Sequence, residues 1–153
     1  MVGLRLVLML LGMAGAAAAE EKAVLAVVQR LFDAMAARDS AAALSVLLPE
    51  GRYFSVRENG AQVTVGGTSH KEFAERLASG KGQMLERMSS PQVLVHGRIA
   101  VVWTPYDFHR DGKYSHRGVD AFQLVKTAEG WKIASFMYTI EGLTLPPAAQ
   151  TPR

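Results

Sequence analysis

The feature that most constrains the fold is a run of long strand candidates in the second half of the chain. Each candidate is rich in β-branched and aromatic residues, and together they cover residues 92–97, 98–109, 114–126 and 131–140. The first could extend back to Met84. Asp111-Gly112 and Glu129-Gly130 separate the last three segments, and such pairs favour tight turns. The second half is therefore predicted to form a meander of antiparallel strands.

The first half of the chain carries helical patterns instead. Apolar residues recur at intervals of three and four, as on one face of a helix: Val24, Val27, Val28, Leu31, Phe32 and Met35. Asp39 or Ser40 is predicted to cap a second, shorter helix, and a hairpin turning at Asn59-Gly60 is predicted to follow it. Ser69 and Glu72 form a capping-box pattern at the start of a third helix.

Helices thus segregate from strands along the chain, which defines the α+β class. A strongly bent antiparallel sheet is expected to wrap around the first helix and leave a hollow. Residues 20–143 are predicted to form this one domain, since the chain of 153 residues is too short for two. The polar, Pro-rich segment 144–153 is predicted to be a disordered tail.

The N-terminal segment has the three parts of a secretory signal peptide. Arg5 supplies a positive charge, residues 6–15 form an apolar run, and small residues precede Glu20. Cleavage is predicted after Ala19, so that residues 1–19 are removed and the protein is periplasmic or secreted. An uncleaved N-terminal anchor is the alternative, although the apolar run is shorter than the roughly 20 residues that span a bilayer.

Charge and composition argue against several kinds of partner and chemistry. The formal net charge of +3 comes from scattered basic residues, so neither nucleic acid nor, after signal cleavage, an anionic membrane is expected as a partner. The absence of Cys excludes disulfides, thiol catalysis and thiolate metal sites. The sequence contains no phosphate-binding loop, dinucleotide fingerprint or nucleophile elbow, and no cofactor or metal is expected.

Several segments resemble the nuclear transport factor 2-like superfamily. Two N-terminal helices ending near Arg38-Asp39, a helix after a hairpin and a closing strand at Gly130-Trp131-Lys132-Ile133 carry the resemblance. Segments between residues 101 and 122 resemble a bacterial branch labelled SnoaL-like or putative lumazine-binding. The resemblance covers roughly residues 21–143 and implies a cone-shaped, cystatin-like α+β roll. It implies no single reaction, because the superfamily includes isomerases, cyclases, dehydratases and binding domains.

Strand pairing predicts which side chains share a face of the sheet. A two-residue loop at Asp111-Gly112 would place Asp107 opposite His116 and Trp103 opposite Asp120. That face would have an apolar floor and a polar mouth, as a ligand pocket does. The residues predicted to line the pocket are Trp103, Val101, Phe122, Ile133 and Met137 of the strands, Phe32 of the first helix and Tyr53 of the first strand.

Three polar residues of this face are candidate catalytic residues: His116, Asp120 and Asp107. Asp107 could orient the imidazole of His116 as a general base, or the two could form an ion pair that only stabilises the hairpin. Asp120 could act as an acid or base through a raised pKa, or could only accept a hydrogen bond from Trp103. A metal site of His109, His116 and Asp107 is a weaker alternative.

The second face of the sheet is also apolar in this pairing. It would carry Val102, Tyr106, Val119, Phe136 and Tyr138. An extended apolar face is usually buried against another protein surface, so a homodimer that buries this face is expected.

Three functions are compatible with these patterns. The leading interpretation is an exported domain that binds a small apolar or aromatic molecule. The alternatives are an acid–base enzyme, such as an isomerase, cyclase or dehydratase acting on an apolar carbonyl compound, and a non-catalytic dimerisation or interaction module. An open cavity faced by a buried, strongly perturbed Asp120 or His116 would favour the enzyme. An open cavity without perturbed groups would favour binding alone, and a filled cone would favour assembly.

Overall fold

The computed structural model describes residues 2–142, with side chains from residue 15 onward. The elements are α1 (Val2–Ala37), α2 (Ser40–Val46), β1 (Leu47–Asn59), β2 (Gln62–Ser69), α3 (His70–Ser79), β3 (Met84–Met88), β4 (Gln92–His96), β5 (Ile99–Arg110), β6 (Lys113–Thr127) and β7 (Gly130–Ile140). The predicted tail, 144–153, lies outside the described residues. Within the described part, no helix is both long enough and apolar enough to cross a membrane.

The strands form one curved sheet in the order β2-β1-β7-β6-β5-β3, and β4 also pairs with β5. Neighbouring strands are antiparallel, except that β1 and β7 run parallel. The helices pack against one face of the sheet, called here the inner face; the opposite face is the outer face. The predicted α+β class is therefore confirmed.

α1 lies at the centre of the hydrophobic core. The stripe predicted from its three- and four-residue spacing is buried from Val24 to Phe32. It packs against Phe122 and Leu124 of β6 and Ile133 of β7, which are almost fully buried as well. Removal of these apolar side chains from water is the main force that holds the helix against the sheet.

Local hydrogen bonds set the helix ends and turns. Asp39 caps α2, and Ser69 with Glu72 forms the predicted capping box of α3. The turn after β5 is as predicted, since Asp111 and Gly112 both have positive φ, 52° and 73°. The first hairpin differs by one position: Asn59 still pairs with Gln62, so its two-residue loop is residues 60–61.

Arg38 joins the C-terminal ends of two helices. Its φ of 53° lies in the left-handed region, where α1 ends. Its guanidinium donates to the carbonyl oxygens of Leu77, Lys81 and Gly82, at 3.2, 2.5 and 2.7 Å. The C-terminal ends of α1 and α3 are therefore held together at one end of the sheet.

His70 is buried, although its position beside a turn would suggest an exposed side chain. Its Nδ1 lies 2.7 Å from the carbonyl oxygen of Leu48, and its ring stacks on Phe136. A Cβ atom on Gly51 would lie 2.0 Å from His70 Cε1. Only glycine at position 51 allows the strand to approach this ring so closely.

A β-bulge changes the predicted pairing of β5 with β6. The two pairs nearest the turn form as expected, but the third joins Phe108 to His116 and leaves Ser115 without a partner in the ladder. An extra residue in one strand shifts every later pair by one. Because side chains alternate between the faces of a sheet, this shift reverses the face predicted for the β5 side chains beyond it.

Both predicted cross-strand contacts are therefore wrong. Asp107 lies opposite Arg117 rather than His116. Asp120 lies opposite Thr104 rather than Trp103, so the indole cannot be the partner that its carboxylate needs.

The bulge, with a second irregularity in the pairing of β6 with β7, also exchanges the faces of several large residues. The outer face holds three residues predicted to line the pocket, with 41, 52 and 46% of their surface exposed: Val101, Trp103 and Met137. The inner face holds four residues predicted for a dimer contact: Val102, Tyr106, Phe136 and Tyr138. The prediction that these four residues form a dimer surface is therefore wrong. Of the five residues predicted for that surface, only Val119 faces outward.

Candidate functional site

A cavity of about 430 Å³ lies between the inner face of the sheet, α1 and α3. Aromatic side chains form much of its wall: Phe32, Tyr53, Phe73, Phe122, Phe136 and Tyr138. The rings of Tyr53 and Phe136 stack at a centroid distance of 5.2 Å. Both the volume and the apolar wall are typical of a small-molecule site.

The structure brings part of the predicted set to this cavity. The lining includes Phe32, Tyr53, His116, Asp120 and Phe122. Ile133 is fully buried in the adjoining core and does not form part of the wall. Val101, Trp103 and Met137 lie on the outer face, so they cannot contact a molecule in the cavity.

Asp107 also lies outside the cavity. Its carboxylate accepts two hydrogen bonds from Arg87, at 2.8 and 2.9 Å, and lies 3.3 Å from His109 Nε2. These partners belong to the outer face, whereas His116 belongs to the inner one. The predicted metal site of these residues is therefore not formed, and no group of three potential ligands converges among the described residues.

Asp120 is the buried acid of the cavity. Only 2% of its surface is exposed, and its Oδ2 atom has no hydrogen-bond partner among the described residues. Desolvation by burial raises the pKa of this carboxyl from 3.8 to about 7. Asp120 therefore exchanges its proton near neutral pH.

Glu86 is a second acid of the cavity, and sequence patterns did not reveal it. It lies on β3 and lines the cavity together with Asp120, close enough for the charges of the two carboxyls to act on each other. Burial raises the pKa of Glu86 well above its usual value, and the charge of Asp120 raises it further. Two carboxyl groups so close together cannot both ionise easily, so the pair retains a proton between them.

Two tyrosines border the carboxyl pair. Tyr106 donates from its hydroxyl to the carbonyl oxygen of Thr139, at 2.7 Å. The ring crosses β6 at Gly118, where a Cβ atom would lie 2.8 Å from the ring and 2.0 Å from Thr139 O. Burial raises the pKa of Tyr138 to about 12 and also raises the pKa of Tyr106. Both phenols therefore stay protonated at neutral pH.

His116 lies nearer the mouth of the cavity. Its ring stacks on Phe108 at a centroid distance of 4.9 Å, and its Nδ1 lies 3.1 Å from Ser115 Oγ. Burial, with the positive charges of Arg57 and Arg110, lowers the pKa of this imidazole. His116 is therefore a neutral hydrogen-bonding group at pH 7 rather than the carboxylate-paired base that the sequence predicted.

Comparisons with known proteins agree with this architecture. The family model described as putative lumazine-binding matches residues 19–139. A search of curated proteins finds no match. A solved nuclear transport factor 2-like protein with a cystatin-like fold, from Novosphingobium aromaticivorans, has 13% sequence identity and a TM-score of 0.65, covering 85% of this chain and 87% of that one.

Two further solved structures have the same fold. A nuclear transport factor 2 superfamily protein from Salmonella enterica is 13% identical, with a TM-score of 0.65 over 89% of this chain and 99% of that one. A protein from Streptomyces avermitilis, described as a putative dehydratase of this superfamily, is 17% identical, with a TM-score of 0.63 over 81% and 97% of the two chains. Likeness at such low identity shows the fold and no reaction. The chain belongs to the putative lumazine-binding family, and its fold is the one found in solved nuclear transport factor 2-like proteins.

Proposed function

We propose that this protein binds a small, largely apolar molecule in the cavity and transfers a proton on it through the Asp120–Glu86 carboxyl pair. The observation that carries the proposal is the buried Asp120 with its unpartnered Oδ2 atom beside an aromatic cavity. Burial of a carboxyl without full hydrogen bonding costs roughly 1–3 kcal/mol. A residue that weakens the fold in this way is more often retained for chemistry than for stability.

The two carboxyls suit complementary roles. Asp120, with a pKa of about 7, is the member that loses its proton near neutral pH and can accept one from a carbon next to a carbonyl group. Glu86, whose pKa lies well above its usual value, stays protonated and can donate to the carbonyl oxygen. Isomerisation, cyclisation and dehydration of an apolar carbonyl compound all need this pair of steps.

Native mass spectrometry of the mature protein, purified from its producing cell, is expected to show a bound small molecule. Met35 lines the cavity from α1, so Met35→Trp should occupy much of the space and remove the bound mass. Leu85→Trp, which adds the same side chain at an exposed outer position, should leave it in place. A protein that carries no small molecule and takes none up from a cell extract, or binding that survives Met35→Trp, would contradict the proposal.

We also propose that the protein is exported and begins at Glu20 after cleavage. Residues 15–19 are exposed, whereas Glu20 accepts hydrogen bonds from Lys126 Nζ at 2.5 Å and Trp131 Nε1 at 2.9 Å. Cleavage after Ala19 would therefore leave these anchoring contacts in place. Intact-mass analysis of protein from the producing cell is expected to give an N-terminus at Glu20. Recovery of the uncleaved chain in the cytoplasm would contradict both cleavage and export.

A homodimer remains the proposed assembly, but through other residues than those first predicted. Cross-strand pairing aligns an apolar row over four adjacent strands of the outer face: Trp103, Ala121, Met137 and Phe54. Trp103 and Met137 are exposed, and an aromatic residue in an apolar row is a common anchor of an interface.

Substitution Trp103→Glu is expected to convert the dimer to a monomer, because the contact would desolvate an unpaired charge. Light scattering at micromolar concentration measures the change, and Leu85→Glu, at an exposed outer position of β3 away from the row, is the control. A wild-type protein that is already monomeric would remove the basis of this prediction.

A further inference from the structure

The mouth of the cavity is lined by cations that come from several elements. The lining includes four cations that are exposed to solvent and therefore lie where the cavity opens: Arg57 of β1, Arg76 of α3, Lys81 of the loop that follows and Arg110 of β5. Arg38 also lies there, but its guanidinium is engaged by three backbone carbonyls. Like charges gathered at one opening repel each other, so they destabilise the empty site unless an anion joins them.

In the part of the chain that the structure describes, no carboxylate forms an ion pair with any of these four side chains, since none lies within 4.0 Å of their charged nitrogens. The two acids of α3 have other partners: Glu75 lies 3.9 Å from Lys71, and Glu72, one turn from Arg76, is bonded to Thr68 and Ser69 in the capping box. Arg76 acts on Glu72 only as a nearby charge. At the mouth, positive charge therefore exceeds negative charge.

Arg57 and Arg110 line the cavity from two strands, together with His116. Both lie close enough to His116 for their charges to act on its imidazole. A guanidinium on each side of an opening matches a planar carboxylate, which accepts hydrogen bonds on both oxygens. The neutral His116 does not compete with such a group for the two charges.

The inner end of the cavity differs sharply from the mouth. There the wall is aromatic, and the Asp120–Glu86 pair retains a proton. The ionised member of that pair would repel an anion, whereas the protonated member could donate a hydrogen bond to an uncharged carbonyl oxygen. The cavity therefore has one end for an anion and one end for an apolar body with a polar atom.

We infer that the cavity selects an organic acid: a ring-bearing apolar body whose single anionic group lies between Arg57 and Arg110, with its uncharged end at Asp120 and Glu86. The inference rests on the proposed function and names the substrate class of the same site. It distinguishes an acidic ligand from a neutral apolar one, which the aromatic wall alone would bind equally well.

The test compares two fluorescent probes with the same ring system, anilinonaphthalene sulfonate, which is an anion, and N-phenylnaphthylamine, which is neutral. The mature protein is expected to bind the anion about tenfold more tightly than the neutral probe. Arg57→Gln and Arg110→Gln should each weaken the affinity for the anionic probe about fivefold to tenfold. Each should change the affinity for the neutral probe by less than about twofold. Arg30→Gln, on the exposed face of α1, should change neither.

Two readouts separate charge from folding and location. Raising the salt concentration from about 0.05 to 0.5 M should weaken the anionic probe alone, and circular dichroism should show that the Gln variants are folded. Met35→Trp should reduce the binding of both probes.

Each other outcome has a definite meaning. Equal affinity for the two probes, with no effect of the Arg substitutions, would overturn this inference and leave the proposed binding of a small apolar molecule intact. Binding of both probes that survives Met35→Trp would place them outside the cavity and overturn the inference and the proposed function together.

Discussion

Replacing Asp120 by Asn is expected to lower the proposed proton-transfer activity at least about 100-fold, as the loss of a general acid–base group does. The same substitution is expected to make the protein more stable above neutral pH. The amide has nearly the same shape and can donate a hydrogen bond to Glu86. It carries no charge that burial could penalise. Loss of activity together with a gain in stability is the pattern of a residue retained for chemistry rather than for folding.

The pH dependence of the free energy of unfolding follows from the raised pKa. Asp120 has a pKa near 3.8 when exposed and about 7 when folded, so between these values the folded protein binds more protons than the unfolded one. Stability then falls as pH rises, from its full value below pH 4 to a constant lower value above pH 7. The raised pKa of Glu86 acts in the same direction.

A difference of one pKa unit between the folded and unfolded states corresponds to about 1.4 kcal/mol of the free energy of unfolding. Because the charges of Asp120 and Glu86 act on each other, part of the effect belongs to Glu86. Asp120→Asn is therefore expected to be more stable than the wild type by about 2 kcal/mol or more at pH 8, and by much less at pH 4. Urea unfolding at a series of pH values measures the difference. Asp33→Asn, at an exposed position of α1, is the matched control, and a constant offset between wild type and Asp120→Asn would contradict the burial assigned to Asp120.

Substitution Phe32→Ala is expected to cost about 3–5 kcal/mol of the free energy of unfolding, as large-to-small changes in cores do. Phe32 is buried on α1, packs on Phe122 at a centroid distance of 6.0 Å and forms part of the cavity wall. Its removal would cost dispersion contacts and join new empty space to the cavity.

Urea or guanidinium unfolding of the mature protein measures this loss. Leu85→Ala is the control, because Leu85 is exposed on the outer face away from the apolar row and its truncation should cost about 1 kcal/mol or less. A loss below about 1 kcal/mol for Phe32→Ala would mean that α1 is peripheral to the sheet, contrary to the burial of its stripe from Val24 to Phe32.

Elements whose signals are local could be predicted from the sequence. The spacing of Val24 to Met35, the capping box of Ser69 with Glu72 and the turn at Asp111-Gly112 each specify their own conformation within a few residues. The order of these elements was enough to predict the α+β class. Five residues that strand pairing and helix spacing suggested for a pocket line the cavity, Phe32, Tyr53, Phe122, His116 and Asp120, and their contact with a ligand stays a prediction.

Which face of β5 points inward could not be predicted in the same way. Nothing in the residues around Ser115 marks a bulge, yet this extra residue in the ladder turns Trp103 outward and Tyr106 inward. A strand has a repeat of two residues, so an error of one residue in pairing reverses every side chain beyond it. Tyr106 also needs Gly118 opposite it, and that match exists only in the true register.

The meeting of Asp120 with Glu86 was decided by tertiary structure. Glu86 alternates with Met84 and Met88 on a short strand, a pattern that would suit an inward acid, but Asp120 lies on a different strand and the two meet only when both strands pair with β5. The same holds for Arg57 and Arg110, which come from β1 and β5. The sequence by itself determined the helices, the turns and the α+β class, because these depend on neighbours along the chain. Only the tertiary structure decided which charges share the cavity, because burial and electrostatic coupling depend on distances between strands that the chain does not specify locally.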